Sequence, residues 1–543
     1  MQVRIIHGAL ILAALLLARC QSPEALGRLD GAISPDELRA HLRILSDDIM
    51  EGRAPGTRGA EMAAKYIASQ FQEASLLPAV GDSTYFQQVE LIGIKPTPFL
   101  QIRGFGAFWQ LRPGQDFVAW TQLEQENVSI RNKEVLFVGY GIDAPEFNWN
   151  DYRGIDVTGK VLLMLVNEPP SQSESFFAGE ALTYYARWTY KFEEAARKGA
   201  EGVILIHTAP MAGYDWNVVQ NSRTRERFQI RPPGQANVLS LQAWITEQMA
   251  QEILRAGSFD LHALIAQAAS SSFSPLPLDL RVSAVIRNRI RGISAANVIA
   301  RLEGSDPLLR QQAIIYTSHY DHLGKNDAAE GDGIFNGAID NASGTSALLA
   351  IARAFAHSPI KPKRTVLFAA VTAEESGLLG SQFYAEHPTF PLENIAANLN
   401  IDALNVHGRT RDIIALGAER STLEGVVRRV AHEMNLELSP DPEPGQGLFF
   451  RSDQFSFAKK GVPAMVLNGG LNYWSKPADW GARTSRDYWQ NRYHTVDDEF
   501  DPNWSLEGTA QIAQFALKAG LYLANAPEMP VWHENEPFRR MRD

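Results

Sequence analysis

The chain has 543 residues, 45% of them hydrophobic and 21% charged, and a formal net charge of -11. That length exceeds what one hydrophobic core ordinarily organises, so two domains are expected, and the mixed composition excludes a disordered or fibrous chain. The acidic balance argues against nucleic acid as a partner and suits a site that receives divalent cations or a free amino group.

At the N-terminus, Arg4 precedes the apolar run Gly8–Ala18, and Cys20 is the only cysteine in the sequence. The run is too short to span a bilayer and reads as an export signal over residues 1–20, outside the fold. Leu17-Ala18-Arg19-Cys20 resembles a bacterial lipoprotein cleavage box, although Arg19 stands where that box carries a small residue. The resemblance implies a lipid anchor at Cys20 and a periplasmic or membrane-anchored protein, with secretion as the alternative. The processed chain then has no second thiol, hence no disulfide, and any metal must be held by nitrogen and oxygen.

Ser34-Pro35-Asp36-Glu37 is a helix start with a capping serine, a first-turn proline and a capping-box glutamate, followed by Leu38, Leu42 and Leu45 at helical spacing. Glu51–Gly56 reads as a loop, and Ala63, Ala64, Ile67, Ala68 and Phe71 mark one face of a second helix. From residue 91 the texture turns β-rich, with strands expected at Glu134–Ile142, Gly159–Val166 and Gly202–His207 and a helix at Lys191–Lys198. This segment, 91–275, reads as an inserted domain ending in the polar stretch near Ser270–Pro277.

From Asn297 strands and helices alternate. Strands are expected at Ala313–Ser318, Thr365–Thr372, Ile395–Ile401 and Pro463–Leu467, and helices at Thr345–Ala356 and Leu423–Met434. The alternation implies an α/β fold, a doubly wound, mostly parallel sheet with helices on both faces. A first part over 34–90 and a catalytic part over 276–525 make up this domain, and 526–543 form a polar tail.

Five stretches carry the chemistry: Ser318–Asp321, Asp340–Gly344, Glu374–Gly377, Asn400–Asp402 and Arg492–Thr495. His319, Glu374, Glu375 and Asp402 fall just past expected strand ends, where ligands of such sheets bind. Asp321, two residues after His319, is within reach of the imidazole's far nitrogen and could fix its tautomer. Asp340 stands at a helix entrance, where it or Ser343 could equally be a cap. Adjacent residues leaving a strand point apart, so Glu374 and Glu375 can serve separately, one on metal and one on water. His494 lies among Tyr473, Trp474, Trp480, Tyr488, Trp489 and Tyr493, and Tyr493 is a candidate donor to a developing oxyanion.

Together these motifs resemble the co-catalytic di-zinc exopeptidases, the family of bacterial leucyl-type aminopeptidases and glutamate carboxypeptidase, over Ser34–Glu90 and Ala295–Ala524. The resemblance implies two zinc ions: His319 and Asp402 on one, Glu375 and His494 on the other, and Asp340 bridging. It makes Glu374 the general base, Asp321 the partner of His319 and Tyr493 the oxyanion donor, and it places a cis peptide at Asp340–Asn341. The implied activity is removal of N-terminal residues from peptides by a water shared between the metals. Val135–Ile142, Asp151–Val166 and Arg187–His207 are similar to the protease-associated (PA) domain, which implies substrate gating.

Four rivals stand beside this reading. A carboxypeptidase or dipeptidase on the same scaffold would need a basic pocket, which Arg451 or Arg492 could supply. Glutaminyl cyclase-like acyl transfer uses one zinc, against the full ligand set here. A non-catalytic binding module would be expected to lack ligands, and none is missing. In amidohydrolases with an inserted dimerisation domain, the insertion follows the Glu-Glu stretch rather than preceding His319. The side chain preferred at the substrate's N-terminus and the oligomeric state are not set by the sequence.

Overall fold

The computed structural model describes residues 29–223, 226–231, 238–326, 328–534 and 536–541. The expected export signal and Cys20 lie outside the described residues. Two compact units emerge: one from the described residues up to Val89, Ala295–Asp441 and those from Ser452, the other from Glu90–Ser294 and Pro442–Arg451.

The first unit is built on a sheet whose strands run in the order Glu437–Ser439, Asp412–Leu416, Ala464–Gly469, Ile395–Ile401, Ala313–His319 and Thr365–Val371, then the 295–302 part of the strand Leu276–Leu302. The central four strands, Ala464–Gly469 through Thr365–Val371, are mutually parallel. Asp412–Leu416 and residues 298–302 each pair antiparallel on either side of them. Every residue of Ala313–His319, Thr365–Val371 and Ile395–Ile401 is buried, as continuous apolar runs covered on both faces should be.

Helices supply that cover. Ser34 Oγ accepts the Glu37 amide at 3.2 Å and opens the helix Pro35–Leu45, which buries Leu38, Leu42 and Leu45. The Glu37 carboxylate does not close a capping box; it pairs with Arg353. Thr57 caps Arg58–Glu73, whose buried face includes Ala63, Ala64, Ile67, Ala68 and Phe71. Glu507–Asn525 approaches the sheet so closely that a Cβ on Gly520 would lie 1.7 Å from the Tyr316 hydroxyl, which donates to the Ala516 carbonyl at 2.7 Å.

The Glu51–Gly56 stretch is only partly a loop. Its first residues end a 3-10 segment, Asp48–Arg53, in which Glu51, Gly52 and Arg53 have positive φ of 49°, 64° and 52°. This left-handed turn carries the Arg53 side chain into the interior, where it is 1% exposed.

In the second unit Asn127–Phe137, Val161–Leu165, Gly202–His207 and Leu241–Thr246 pair in parallel, and Phe117–Trp120 closes one edge antiparallel. The helix Trp188–Arg197 packs beside them. This unit continues to Ser294, past the polar stretch at 270–277, because residues 276–287 pair antiparallel with Asn127–Phe137. No helix among the described residues is long and apolar enough to cross a membrane.

Candidate metal centre

His319 is the last residue of its strand, Asp402 follows Ile395–Ile401 directly, and Glu374 and Glu375 stand just beyond Thr365–Val371. Parallel pairing in register therefore delivers these residues to one end of the sheet. Asp340 comes from the turn Ala338–Ser343 that leads into the helix Gly344–His357, and the Asp340–Asn341 peptide bond is cis. His494 follows the turn Tyr488–Arg492. Three residues here hold positive φ without being glycine: Ala373 at 57°, Ala403 at 49° and His494 at 59°. Such backbone persists only where its surroundings fix it, and here each one is, or adjoins, a candidate ligand or the candidate base Glu374.

The five ligand candidates converge. His319 Nε2 lies 3.2 Å from Asp340 Oδ1 and 3.2 Å from Asp402 Oδ1. His494 Nε2 lies 3.2 Å from Asp340 Oδ2 and 3.0 Å from Glu375 Oε2. One carboxylate thus faces two imidazoles through different oxygens, each imidazole having a further carboxylate of its own. A Glu374 oxygen lies within 4.8 Å of ligand atoms of both His319 and Glu375.

Asp321 approaches His319 with its main chain more closely than with its carboxylate. The acceptor nearest His319 Nδ1 is the Asp321 main-chain oxygen at 3.2 Å, with the carboxylate 3.8 Å away. That carboxylate instead accepts the Glu374 amide at 3.1 Å. Ser343 does not cap its helix; its hydroxyl donates to the Ile339 carbonyl and accepts the Leu404 amide. The Tyr493 ring stacks on His494 with centroids 3.7 Å apart. Of the remaining candidates, Tyr473 is buried and packs on Trp480, while Trp474 and Trp489 are exposed. Arg492 is exposed, and Arg451 belongs to the second unit.

Several supporting residues carry no motif that spacing could reveal. Arg53 donates from Nε to the Tyr320 carbonyl at 2.8 Å, from Nη1 to Asn336 at 2.7 Å and to Leu45, and from Nη2 to Gly337 at 3.0 Å. It thereby ties together the segments that bear His319 and Asp340. Asp498 accepts the Ile339 and Asp340 amides at 2.9 and 3.0 Å. Asn341 spends its whole side chain: Nδ2 donates to Ser318 and Ile401, and Oδ1 accepts from Gly344 and Ala403. The Ser452 hydroxyl donates to Asp402, and His322 Nδ1 lies 2.7 Å from Glu375 Oε1.

The charges are unevenly poised. Burial, reinforced by Glu375, Asp453 and Asp402, pushes Glu374 well above the usual carboxylate range against the pull of His319. Burial opposes ionisation of Glu375 too, but His494 and His322 hold it down at about 2. Burial would lower both imidazoles, yet the surrounding carboxylates win: His319 is raised well above its ordinary value and His494 to about 10. Burial, then Asp340, keeps the Tyr493 phenol protonated.

The residues fit bound metal cations. Asp340, Asp402, Glu375 and Glu374 gather around His319, His494 and His322, and four carboxyl groups buried at one place are costly without positive charge. His494 Nε2 faces Asp340 and Glu375 at 3.2 and 3.0 Å without a well-directed hydrogen bond to either, an arrangement that suits a cation; His322 Nε2 is likewise buried without a partner among the described residues. The donors are all nitrogen and oxygen, a set compatible with zinc.

Residues 297–519 match the family model described as Peptidase family M28. Among curated proteins, a "Probable zinc metalloprotease" of Pyrenophora teres f. teres (strain 0-1) is 39% identical over 111 residues, 20% of this chain and 23% of that one. The "Leupeptin-inactivating enzyme 1" of Streptomyces exfoliatus is 28% identical over 211 residues, 38% of this chain and 44% of that one. The matches thus span less than half of either relative. An aminopeptidase from Aneurinibacillus sp. strain AM-1 superposes with a TM-score of 0.51 at 19% identity, covering 94% of this chain and 99% of that one, which is a likeness of fold.

Proposed function

From a chain that carries a peptidase family M28 domain, we propose a zinc-dependent exopeptidase that releases N-terminal residues from peptides with a free amino terminus. The observation that carries the reading is the shared carboxylate: Asp340 turns one oxygen to His319 and the other to His494. That arrangement supports two zinc sites, His319 with Asp402 and His494 with Glu375, bridged by Asp340. When bound, the two zinc ions would acidify water and polarise the scissile carbonyl.

The chain's own residues then have distinct tasks. Glu374, whose carboxylate lies within 4.8 Å of ligand atoms of His319 and Glu375, takes the proton from the attacking water and returns it to the leaving amine. Tyr493, kept as a phenol, donates its O–H to the developing oxyanion. Asp321 orients His319 through its main-chain oxygen and holds the Glu374 amide through its carboxylate. Residues 90–294 are read as a PA-like module restricting substrate, and Cys20 as the lipid anchor of an exported protein.

The test is a panel of aminoacyl anilides, each with a free and an acetylated N-terminus, combined with metal analysis. Only free-amine substrates should be cleaved, and a chelator should abolish the activity. Equal cleavage of acetylated substrates would refute the exopeptidase assignment. Glu374→Gln should retain zinc while losing about 10²–10⁴-fold in kcat, the usual range for a general acid–base.

A further inference from the structure

His322 belongs to none of the ligand pairs above, yet it is buried against the centre. Its Nδ1 lies 2.7 Å from Glu375 Oε1, while the other oxygen of that carboxylate, Oε2, faces His494 Nε2 at 3.0 Å. His494 also reaches Asp340 Oδ2 at 3.2 Å. Of the two imidazoles beside Glu375, then, His494 stands against oxygens of two carboxylates, whereas His322 grips the remaining oxygen of one. The His322 ring is walled in: a Cβ on Gly337 would lie 2.5 Å from its Cγ, and the His322 amide points to the Arg53 carbonyl at 3.4 Å.

We propose that His322 is a positioning residue that donates its Nδ1–H to Glu375 Oε1 and so confines Glu375 to binding its cation through Oε2 alone. The inference rests on the dinuclear zinc reading above and extends it to metal selectivity. A carboxylate free to offer both oxygens suits larger oxygen-seeking ions such as calcium, whereas four-coordinate zinc is served by one. An outer hydrogen bond of this kind orients the ligand without touching the metal.

The test uses the metal-free full chain, titrated with zinc, with calcium and with cobalt, and compares His322→Leu with His322→Asn. The asparagine amide places a donor where Nδ1 stood; leucine has none. His322→Leu should bind one of the two zinc ions about 10- to 100-fold more weakly and leave the other unchanged. Its discrimination against calcium should fall, and its cobalt form should absorb more weakly in the visible as coordination rises. His322→Asn should restore zinc affinity and spectrum.

Zinc binding by His322→Leu equal to the unaltered chain would overturn the proposal. So would a His322→Asn variant as weak as the leucine one, since the imidazole itself would then be needed as a ligand. Should thermal unfolding show that His322→Leu does not fold, His322→Asn alone decides by the same criterion. Fewer than two zinc ions on the unaltered chain would sink both this inference and the dinuclear reading; two tight ions with an unaffected leucine variant would sink this one alone.

Discussion

Replacing Arg53 by methionine tests how the centre is braced. The guanidinium is fully buried and gives its hydrogen bonds to four main-chain carbonyls, those of Leu45, Tyr320, Asn336 and Gly337, and to no carboxylate. Burial pulls its pKa down to about 10, with Asp321 and Asp498 opposing. Methionine fills comparable space, so the loss comes mainly from orphaned acceptors. At roughly 1 kcal/mol for each of the four carbonyls, the 320–340 region should lose about 4 kcal/mol. Hydrogen exchange reads the change locally, which suits a chain of two units: about 4 kcal/mol is nearly a thousandfold faster opening. Amides around His319 and Asp340 should accelerate by that factor while those of Gly202–His207 do not. Arg53→Lys, with fewer donors and no planar fork, should fall between. Unchanged exchange near His319 in the methionine variant would refute the bracing argument.

Other outcomes follow from the same geometry. Ser452→Ala removes the donor to Asp402 and should weaken zinc about 10-fold or more in competition with a chelator. Ala403 has a φ of 49°, so Ala403→Gly should raise the unfolding temperature of the first unit, by up to about 1 kcal/mol of stability, and Ala403→Val should lower it. In the second unit, burial lowers Lys191 to about 7 and raises Asp151 to about 6 and Glu168 to about 7. Between pH 7 and the ordinary lysine range the unfolded chain binds the extra proton, so Lys191 makes stability rise with pH there; the raised acids make it fall from about pH 4 toward 7. Unfolding followed across pH should show a minimum near neutrality, and Lys191→Met should abolish the alkaline rise.

The alternating strands and helices of the first unit were legible because each is a continuous buried run bounded by turns. Ala313–His319 and Ile395–Ile401 follow that pattern almost to the residue. The ligand candidates were legible because their chemistry is stereotyped, and strand ends place His319, Glu375 and Asp402. Arg53 was not, since its partners are carbonyls, which any sequence offers, and its side chain is turned inward by a left-handed backbone. His322 was hidden beside Asp321, in a stretch where a second imidazole has no periodic signature.

What the order of residues determined by itself is an inventory: two imidazoles, two aspartates and paired glutamates, with His319, Asp402 and the glutamates at the ends of apolar strands. What the tertiary structure decided is how those groups divide the labour. Which oxygen of Asp340 meets which imidazole, whether Asp321 reaches His319 by its carboxylate or its main chain, and what holds Glu375 all depend on distances between segments far apart in the chain. Local propensity fixes strands and their ends, whereas those distances are set only when buried main-chain groups such as the carbonyls around Arg53 find their partners.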